Sequence, residues 1–149
     1  MDTEPKPDAF RLLTWIGIIE QLTRNAADRS LKAVGLTYRE FSMLVHFSHG
    51  RPPEKTVTGI AADMQLLQPA VTKTVQKLVA KGLLRASASA SDARSKLLSL
   101  TAKGRQAIQR AVAAIGPALG PAFEGWSEGD LQTAFGYLDR LKVKLDGMR

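Results

Sequence analysis

The chain has 149 residues, no cysteine and a formal net charge of +7. A single domain is therefore expected, and disulfides, thiolate metal sites and thiol catalysis are excluded. Apolar residues make up 44% and charged residues 23%, as in ordinary soluble globular proteins, so disordered and fibrous classes are excluded as well. No stretch approaches 18 consecutive apolar residues, and the N-terminal segment lacks the apolar region of a secretory signal, so we expect a cytoplasmic protein with no membrane partner.

Two helices are predicted before the first capping motif. Apolar residues at helical spacing predict a first helix over residues 8–28, and a shorter second helix follows from near residue 30 to Gly35, a natural stop. Thr37 and Glu40 have the spacing of a capping box, in which each side chain binds a free amide of the first helical turn. A third helix is therefore predicted from this point.

The middle of the chain is predicted to contain two helices and a hairpin. The third helix should stop at residues 49–53, which include two prolines. A short apolar helix over residues 57–64 and a basic helix over residues 68–81 follow, and Gly82 should end the latter. Two short strands, residues 83–86 and 96–100, can then pair around a small polar tip.

The last third of the chain is predicted to be helical. Thr101 is a plausible N-cap for a helix with apolar residues at helical spacing, which two Gly-Pro pairs at residues 116–121 should interrupt. Ser127 marks the start of a last helix. The predicted fold class is mainly α with a small β-hairpin.

The basic excess lies in one quarter of the chain. Of the 21 basic and 14 acidic residues, eight and one fall within residues 68–105, which leaves thirteen of each sign elsewhere. A solvated lysine-rich face would be more evenly scattered, so the clustering favours a nucleic acid as partner. Lys96, on the second predicted strand, belongs to this cluster. Binding should weaken with salt: log K should fall by about 0.9 for each tenfold rise in salt concentration and each phosphate neutralised.

The basic helix has two chemically different faces. At 100° per residue, Val71, Val75 and Leu78 lie together and suit a packed core. The opposite face presents threonine, lysine and glutamine, which can pair with base edges in the DNA major groove. An ordinary amphipathic surface helix has the same periodicity, and the adjacent basic hairpin favours DNA over that alternative. The face opposite the apolar one contains Pro69, Lys73, Gln76 and Ala80, flanked by Thr72 and Lys77.

The tip of the hairpin contains Asp92 and Arg94. The aspartate can orient the guanidinium by a charge-assisted pair, and an arginine on a narrow ribbon can enter the DNA minor groove, where the potential is most negative. A solvated loop with no preferred pose is the alternative. The position beside the basic helix favours the DNA contact.

Several of these residues occur together in a known pattern. The pattern comprises Ile60, Val71, Leu78, Gly82, Leu83, Arg85, Asp92, Arg94, Ser95, Leu100, Thr101 and Gly104. Over about residues 36–106 the sequence resembles the MarR family of winged-helix regulators, with no gap needed.

The resemblance implies a fold, a partner and an assembly. It implies one domain over residues 1–149, in which residues 36–104 form a winged helix-turn-helix and residues 8–34 and 105–149 supply dimerisation helices. It also implies a homodimer on double-stranded DNA, with a recognition helix in the major groove and a wing arginine in the minor groove. Carried over by position, the recognition helix supplies Gln68, Pro69, Thr72, Lys73, Gln76 and Lys77, and the wing supplies Arg94 with Asp92 as its partner.

The sequence departs from the family pattern before the recognition helix. Relatives often have a glycine in the turn and a Ser or Thr cap, and the corresponding positions here are Gln65 and Leu67. Gln68 is then the candidate cap. Operator sequences therefore cannot be transferred from relatives.

A small-molecule effector is a further implication of the resemblance. Many relatives release DNA when a small, often aromatic anion binds between the dimer helices and the winged domain. The polar and aromatic candidates here are Arg11, Trp15, Tyr38, Arg39 and His46. Trp15 lies on the apolar stripe of the first helix, and His46 near a helix end, so a place in or beside the core is favoured for both.

No cofactor or metal is predicted. Zinc sensing, known in some relatives, would use His46 and His49, which are three residues apart. Without cysteine it would need carboxylates such as Glu40 or Glu20 to complete the site.

The predicted function is a DNA-binding transcriptional regulator acting as a repressor. An architectural protein that binds DNA without sequence preference or a ligand switch is the alternative. An enzyme is disfavoured, because a glycine-rich phosphate loop, a cysteine nucleophile and a Ser-His-Asp set in structural context are all absent from the sequence.

Overall fold

The computed structural model describes residues 6–50, 52–88 and 95–148. Over these residues the chain is mainly helical, with one two-stranded antiparallel sheet. The helices are α1 (Pro7–Leu31), α2 (Tyr38–His49), α3 (Val57–Met64), α4 (Gln68–Ala80), α5 (Ala102–Leu119) and α6 (Glu128–Asp146), and the strands are β1 (Leu84–Ala88) and β2 (Lys96–Leu100).

The sheet and α3–α4 form the predicted winged helix-turn-helix. β1 and β2 pair in register from Leu84 opposite Leu100 to Ala88 opposite Lys96. Lys55, before α3, adds a single antiparallel bridge to Leu98 in β2, with both backbone hydrogen bonds in place at 3.0 and 2.8 Å. The sheet is thereby fixed to the helix that precedes the turn.

One core connects the winged part to the flanking helices. Each of α1 to α5 and both strands bury apolar side chains in it, and α1 and α5 pack against each other beside it. The fully buried large side chains are Leu31, Met43, Leu44, Ile60, Val71, Leu78, Leu84 and Leu98, each under 2% exposed.

Four helices begin at a hydroxyl cap. Thr37, Thr56, Thr101 and Ser127 each accept a hydrogen bond from the backbone N–H three residues later. The capping box predicted at Thr37 is confirmed, because Glu40 in turn accepts from the Thr37 N–H at 3.1 Å. The predicted starts at Thr101 and Ser127 are also confirmed.

Two glycines explain the junction of α4, the sheet and α5. Gly82 has φ +72°, a conformation that L side chains rarely adopt, and its carbonyl accepts from the Thr101 hydroxyl at 2.7 Å. At Gly104 an added Cβ would lie 2.3 Å from the carbonyl oxygen of Leu83. Glycine is therefore required where α5 approaches the chain just before β1.

The structure corrects three predicted boundaries. α1 runs unbroken to Leu31 and a 3₁₀ turn at Lys32–Val34 follows, so there is no separate second helix, although Gly35 does end the segment at φ +72°. α5 continues through Pro117 to Leu119, because Ile115 still packs against the core there; only the second Gly-Pro pair ends it, in a 3₁₀ turn at Gly120–Phe123. β1 spans Leu84–Ala88 rather than residues 83–86.

The apolar faces of α1 and α6 are uncovered in the single chain. Trp15, predicted to lie in the core, is 57% exposed, and Phe135 on α6 is 72% exposed. No helix in the described part of the chain is long and apolar enough to cross a membrane. The other large apolar side chains exposed on these two helices are Phe10, Leu12, Leu13, Ile18, Ile19, Leu22, Leu131, Tyr137, Leu138, Val143 and Leu145.

Candidate nucleic-acid interface

Helix α4 has the two faces that the sequence predicts. Its buried side consists of Val71, Val75 and Leu78, with Thr74 added. The Thr74 hydroxyl donates to the Ala70 carbonyl at 3.0 Å, which makes a polar side chain tolerable there. The exposed side contains every predicted DNA contact of this helix: Gln68, Pro69, Thr72, Lys73, Gln76 and Lys77.

The turn into α4 uses glutamine where glycine is usual. Gln65 adopts φ 54° and ψ 45°, a left-handed conformation that costs a non-glycine residue about 1 kcal/mol. The side-chain amide of Gln65 donates to the Ala62 carbonyl at 2.5 Å, and the Leu66 N–H donates to Ala61 at 3.0 Å. The free carbonyls at the end of α3 are thus satisfied without glycine.

Gln68 does not cap α4, contrary to the prediction. Leu67 is the N-cap residue, and no side chain binds the free amides of the first turn. Gln68 is instead the first helical residue, and its amide donates to the Thr58 hydroxyl at 3.3 Å, which ties the start of α4 to α3. Pro69 lies in the first turn, as predicted.

The wing is defined here as β1, β2 and the segment that connects them. Lys96 is exposed and pairs in register with Ala88, at the end of the sheet nearest the connecting segment. Asp92 and Arg94 lie outside the described residues. The wing follows α4 along the chain and β1 packs against α4. Leu84 of β1 is buried in the same core as the apolar side of α4, so Lys96 and the exposed face of α4 belong to one unit.

A charged contact holds the end of α4 against α2. The ammonium group of Lys81 donates to the Gly35 carbonyl at 2.8 Å and to Oε2 of Glu40 at 2.9 Å. The Glu40 side chain is only 4% exposed. This contact joins residues 41 positions apart, so no local sequence signal indicated it.

Two of the five effector candidates line a common cavity. Tyr38 and Arg39 border a space of about 420 Å³ between α1, α2 and α4, together with Arg24 of α1 and Lys73 and Lys77 of α4. Arg24, Lys73 and Lys77 were not among the effector candidates that the sequence indicated. Their convergence depends on how α1 and α4 each pack against α2, which periodicity alone does not specify.

Tyr38 and Arg24 are held in place by their own partners. The Tyr38 N–H donates to Oδ1 of Asp28 at 2.7 Å, and the Arg24 guanidinium lies 5.5 Å from the centre of the Tyr38 ring. The Nε group of Arg24 donates to Glu20 at 2.9 Å, and this hydrogen bond raises the pKa of Arg24. Arg24 therefore stays charged at the cavity wall.

His46 lies in a different place. With His49 and Asp63 it borders a second cavity of about 480 Å³ on the outer side of α2 and α3. Its Nε2 is 3.2 Å from Oδ2 of Asp63, and the Lys55 ammonium is 2.6 Å from the same oxygen. The hydrogen bond from Lys55, more than that from His46, holds the pKa of Asp63 below its usual value.

The carboxylates considered for zinc are engaged elsewhere. Glu40 binds Lys81, and Glu20 binds Arg24. Within residues 6–50, 52–88 and 95–148, no group of three or more His, Asp or Glu side chains is placed to hold a metal ion. The carboxylate beside His46 is Asp63, which is already paired with a lysine.

The remaining effector candidates are on the first turns of α1. Arg11 is exposed and pairs with Asp8 at 3.2 Å, and Trp15 lies on the uncovered apolar face. Neither borders the two cavities described above. Tyr38 and Arg39 are thus the only pair of the five that these cavities bring together.

Comparison with known proteins agrees with this geometry. The model of the MarR family matches residues 34–95, which include α2, α3, α4 and β1. BldR, a transcriptional regulator from Sulfolobus solfataricus, superimposes with a TM-score of 0.80 at 23% identity, over 92% of this chain and 96% of the other.

Two structures from Rhodococcus are also similar. A MarR-family transcriptional regulator from Rhodococcus sp. RHA1 has a TM-score of 0.74 at 25% identity, over 94% of this chain and 96% of its own. CouR from Rhodococcus jostii RHA1, solved with p-coumaroyl-CoA bound, has a TM-score of 0.71 at 27% identity, over 91% and 92%. Residues 34–95 of the chain match the MarR family of transcriptional regulators, and the whole chain has the winged helix-turn-helix fold of solved structures from that family.

Proposed function

We propose that the protein is a repressor that binds a pseudo-palindromic operator as a homodimer and is released by a small aromatic or anionic ligand. The observation that carries this proposal is the exposed polar face of α4, opposite a buried side that is apolar except for Thr74 and beside a basic wing. The proposed DNA contacts are Gln68, Pro69, Thr72, Lys73, Gln76 and Lys77 on the helix and Asp92, Arg94 and Lys96 on the wing.

The uncovered apolar faces support the dimer. Monomeric proteins rarely expose contiguous apolar surface beyond a few hundred Å², and α1 and α6 expose it along most of their length. We propose residues 8–34 and 105–149 as the dimerisation part and residues 36–104 as the DNA-binding part. A two-fold dimer of this kind should occupy half-sites whose centres are about 10 bp apart.

Selection of bound fragments from the source genome tests the proposal. Purified protein at moderate salt should recover one pseudo-palindrome and prefer it over random DNA by about 10³-fold or more. Recovery of unrelated fragments at similar affinity would contradict the regulator and favour the architectural alternative. Repetition with protein refolded from denaturant excludes a co-purified ligand as the cause of such a result.

Arg94→Ala should weaken operator binding by ten-fold or more without unfolding the protein. The physical reason is that an arginine at the wing tip can enter the minor groove, where the negative potential is strongest. Binding isotherms and thermal unfolding would measure the two quantities. Arg29→Ala, an exposed arginine on α1, is the matched control and should change neither. Unchanged affinity in the Arg94 variant would remove the wing contact from the proposal.

The cavity at Tyr38 and Arg39 is the proposed effector site. Four of its lining residues are cationic, and its two acids have partners, since Asp28 accepts from the Tyr38 N–H and Glu40 from Lys81. An aromatic ring can pack beside Tyr38 while its anionic group pairs with Arg39. Because Lys73 and Lys77 border the cavity and also face the proposed DNA side, a bound anion would compete with phosphate for them. That CouR binds p-coumaroyl-CoA supports an aromatic acid derivative as the effector class.

Arg39→Gln should reduce the response to an effector while leaving DNA binding within about two-fold. Release of labelled operator by a panel of aromatic carboxylates would be measured, and the active compound should need roughly ten-fold higher concentration with the variant, because a charge-assisted hydrogen bond is lost. His46→Gln, at the other cavity, is the control. An equal response of wild type and Arg39→Gln would place the effector elsewhere.

A further inference from the structure

Leu67 is exposed at the start of the recognition helix although its neighbour is not. Leu66 packs against the core, whereas Leu67 is 79% exposed, as much as any large apolar side chain in the described residues. Single exposed leucines are common on protein surfaces, so exposure alone does not assign a role. The position of Leu67 does.

Leu67 occupies a position that four of the other five α-helices give to a hydroxyl; the exception is α1, whose N-cap residue is Lys6. Leu67 is the N-cap of α4, and α2, α3, α5 and α6 all begin at a threonine or serine whose oxygen accepts a hydrogen bond of 2.9–3.1 Å. Leucine has no such acceptor, and α4 begins without a side-chain cap. The side chain of Leu67 therefore neither forms a capping hydrogen bond nor packs against the core.

The side chains next to Leu67 form an uncharged end of the DNA-facing surface. Pro69 and Thr72 are exposed in the first turns of α4, while the cationic residues Lys73 and Lys77 lie further along the helix. The major groove offers one apolar group to such a surface, the C5-methyl group of thymine. Phosphates offer none, and leucine has no donor for them.

We propose that Leu67 contacts the C5-methyl group of a thymine in each operator half-site and so helps to select the base pair at that position. The inference rests on the proposed operator binding. It adds a specificity-determining residue to the helix and explains why a capping hydroxyl is absent there.

Deoxyuridine substitution in the operator tests the contact, because deoxyuridine differs from thymidine only in lacking the C5-methyl group. Each thymine of the recovered operator would be replaced symmetrically in both half-sites. Wild-type protein should lose about four-fold in affinity per half-site at one position, or about fifteen-fold for the symmetric pair, as expected for one methyl group returned to water. Other thymines should have smaller effects.

Two variants at the same position make the test specific. Leu67→Ser removes the apolar contact and supplies a capping hydroxyl, so it should fold at least as stably and bind thymine and deoxyuridine operators equally at that position. Leu67→Met keeps an apolar side chain of similar size and should still discriminate. Discrimination that persists in Leu67→Ser would overturn the inference.

Two further outcomes separate this inference from the proposed function. Specific operator binding that is insensitive to methyl removal at every thymine, or an operator with no thymine at matched positions of the half-sites, overturns the role of Leu67 alone. Recovery of no preferred sequence overturns operator binding itself, and the inference with it.

Discussion

Phe135→Glu is expected to convert the protein from a dimer into a monomer. Phe135 is 72% exposed in the single chain, so its replacement removes little packing within one subunit. In the proposed dimer the same side chain lies on the apolar face of α6, which the partner would cover. A glutamate there would bury one charge from each subunit in the proposed interface, and their desolvation is unfavourable by several kcal/mol. The dimer dissociation constant should rise by a factor of 10³ or more.

Sedimentation equilibrium at micromolar concentration measures this change. Wild type should sediment as a dimer and Phe135→Glu as a monomer. Thr133→Glu adds the same charge at an exposed position of the same helix, about 160° around it from Phe135, and should remain dimeric. A dimeric Phe135→Glu would place the interface away from this face of α6, and a folded wild-type monomer would contradict the dimer altogether.

Loss of the dimer should abolish tight operator binding. A monomer can place only one recognition helix on the DNA, so the second half-site no longer contributes, and affinity should approach the non-specific level, about 10³-fold weaker or more. A monomeric Phe135→Glu that still binds the operator within ten-fold of wild type would mean that the two half-sites act independently. The exposed surface of α4 would then account for specificity without the terminal helices.

The fold was predictable where the signal is local. The hydroxyl caps at Thr37, Thr101 and Ser127 and the two-faced pattern of α4 depend on residues within one or two helical turns, and all of them are confirmed. The misplaced boundaries have a different cause, because tertiary packing there outweighs the local signal. At residues 28–31 and 116–117 the sequence weakens helical propensity, but packing of α1 and α5 against each other and the core overrides it.

The site was less predictable because its parts come from distant segments. Trp15 lies on an apolar stripe, and a stripe indicates that a face is covered without saying by which chain. Arg24 reaches the cavity beside Tyr38 only because α1 crosses near the start of α2. Asp63 and Lys55 were missed as partners of His46 for the same reason, since the three residues lie on α2, α3 and the segment between them.

Lys81→Met is the second variant for which we expect a large effect. Lys81 is the cation that the structure places on the buried carboxylate of Glu40, and it also donates to the Gly35 carbonyl. Removal of the ammonium group leaves a negative charge that is almost fully enclosed. Loss of one partner of a fully buried pair is unfavourable by about 3–5 kcal/mol, and because the Lys81 side chain is 40% exposed we expect about 2 kcal/mol.

A double variant separates the charge from the packing. Glu40→Gln keeps an oxygen that can accept from the Thr37 N–H, so the capping box survives, while the buried charge is removed. Lys81→Met combined with Glu40→Gln should therefore recover most of the stability lost in Lys81→Met alone. Urea unfolding followed by circular dichroism measures the three differences, at one fixed protein concentration because the proposed dimer would contribute to stability.

Lys77→Met is the matched control, since Lys77 is exposed on the same helix and has no ion pair among the described residues. It should change the free energy of unfolding by less than about 0.5 kcal/mol. If Lys81→Met is as mild as this control, water replaces the ammonium group at Glu40 and the contact does not fix the end of α4. A large loss that the double variant does not recover would instead assign the effect to the Gly35 carbonyl, where the same lysine ties the end of α4 to the 3₁₀ turn that follows α1.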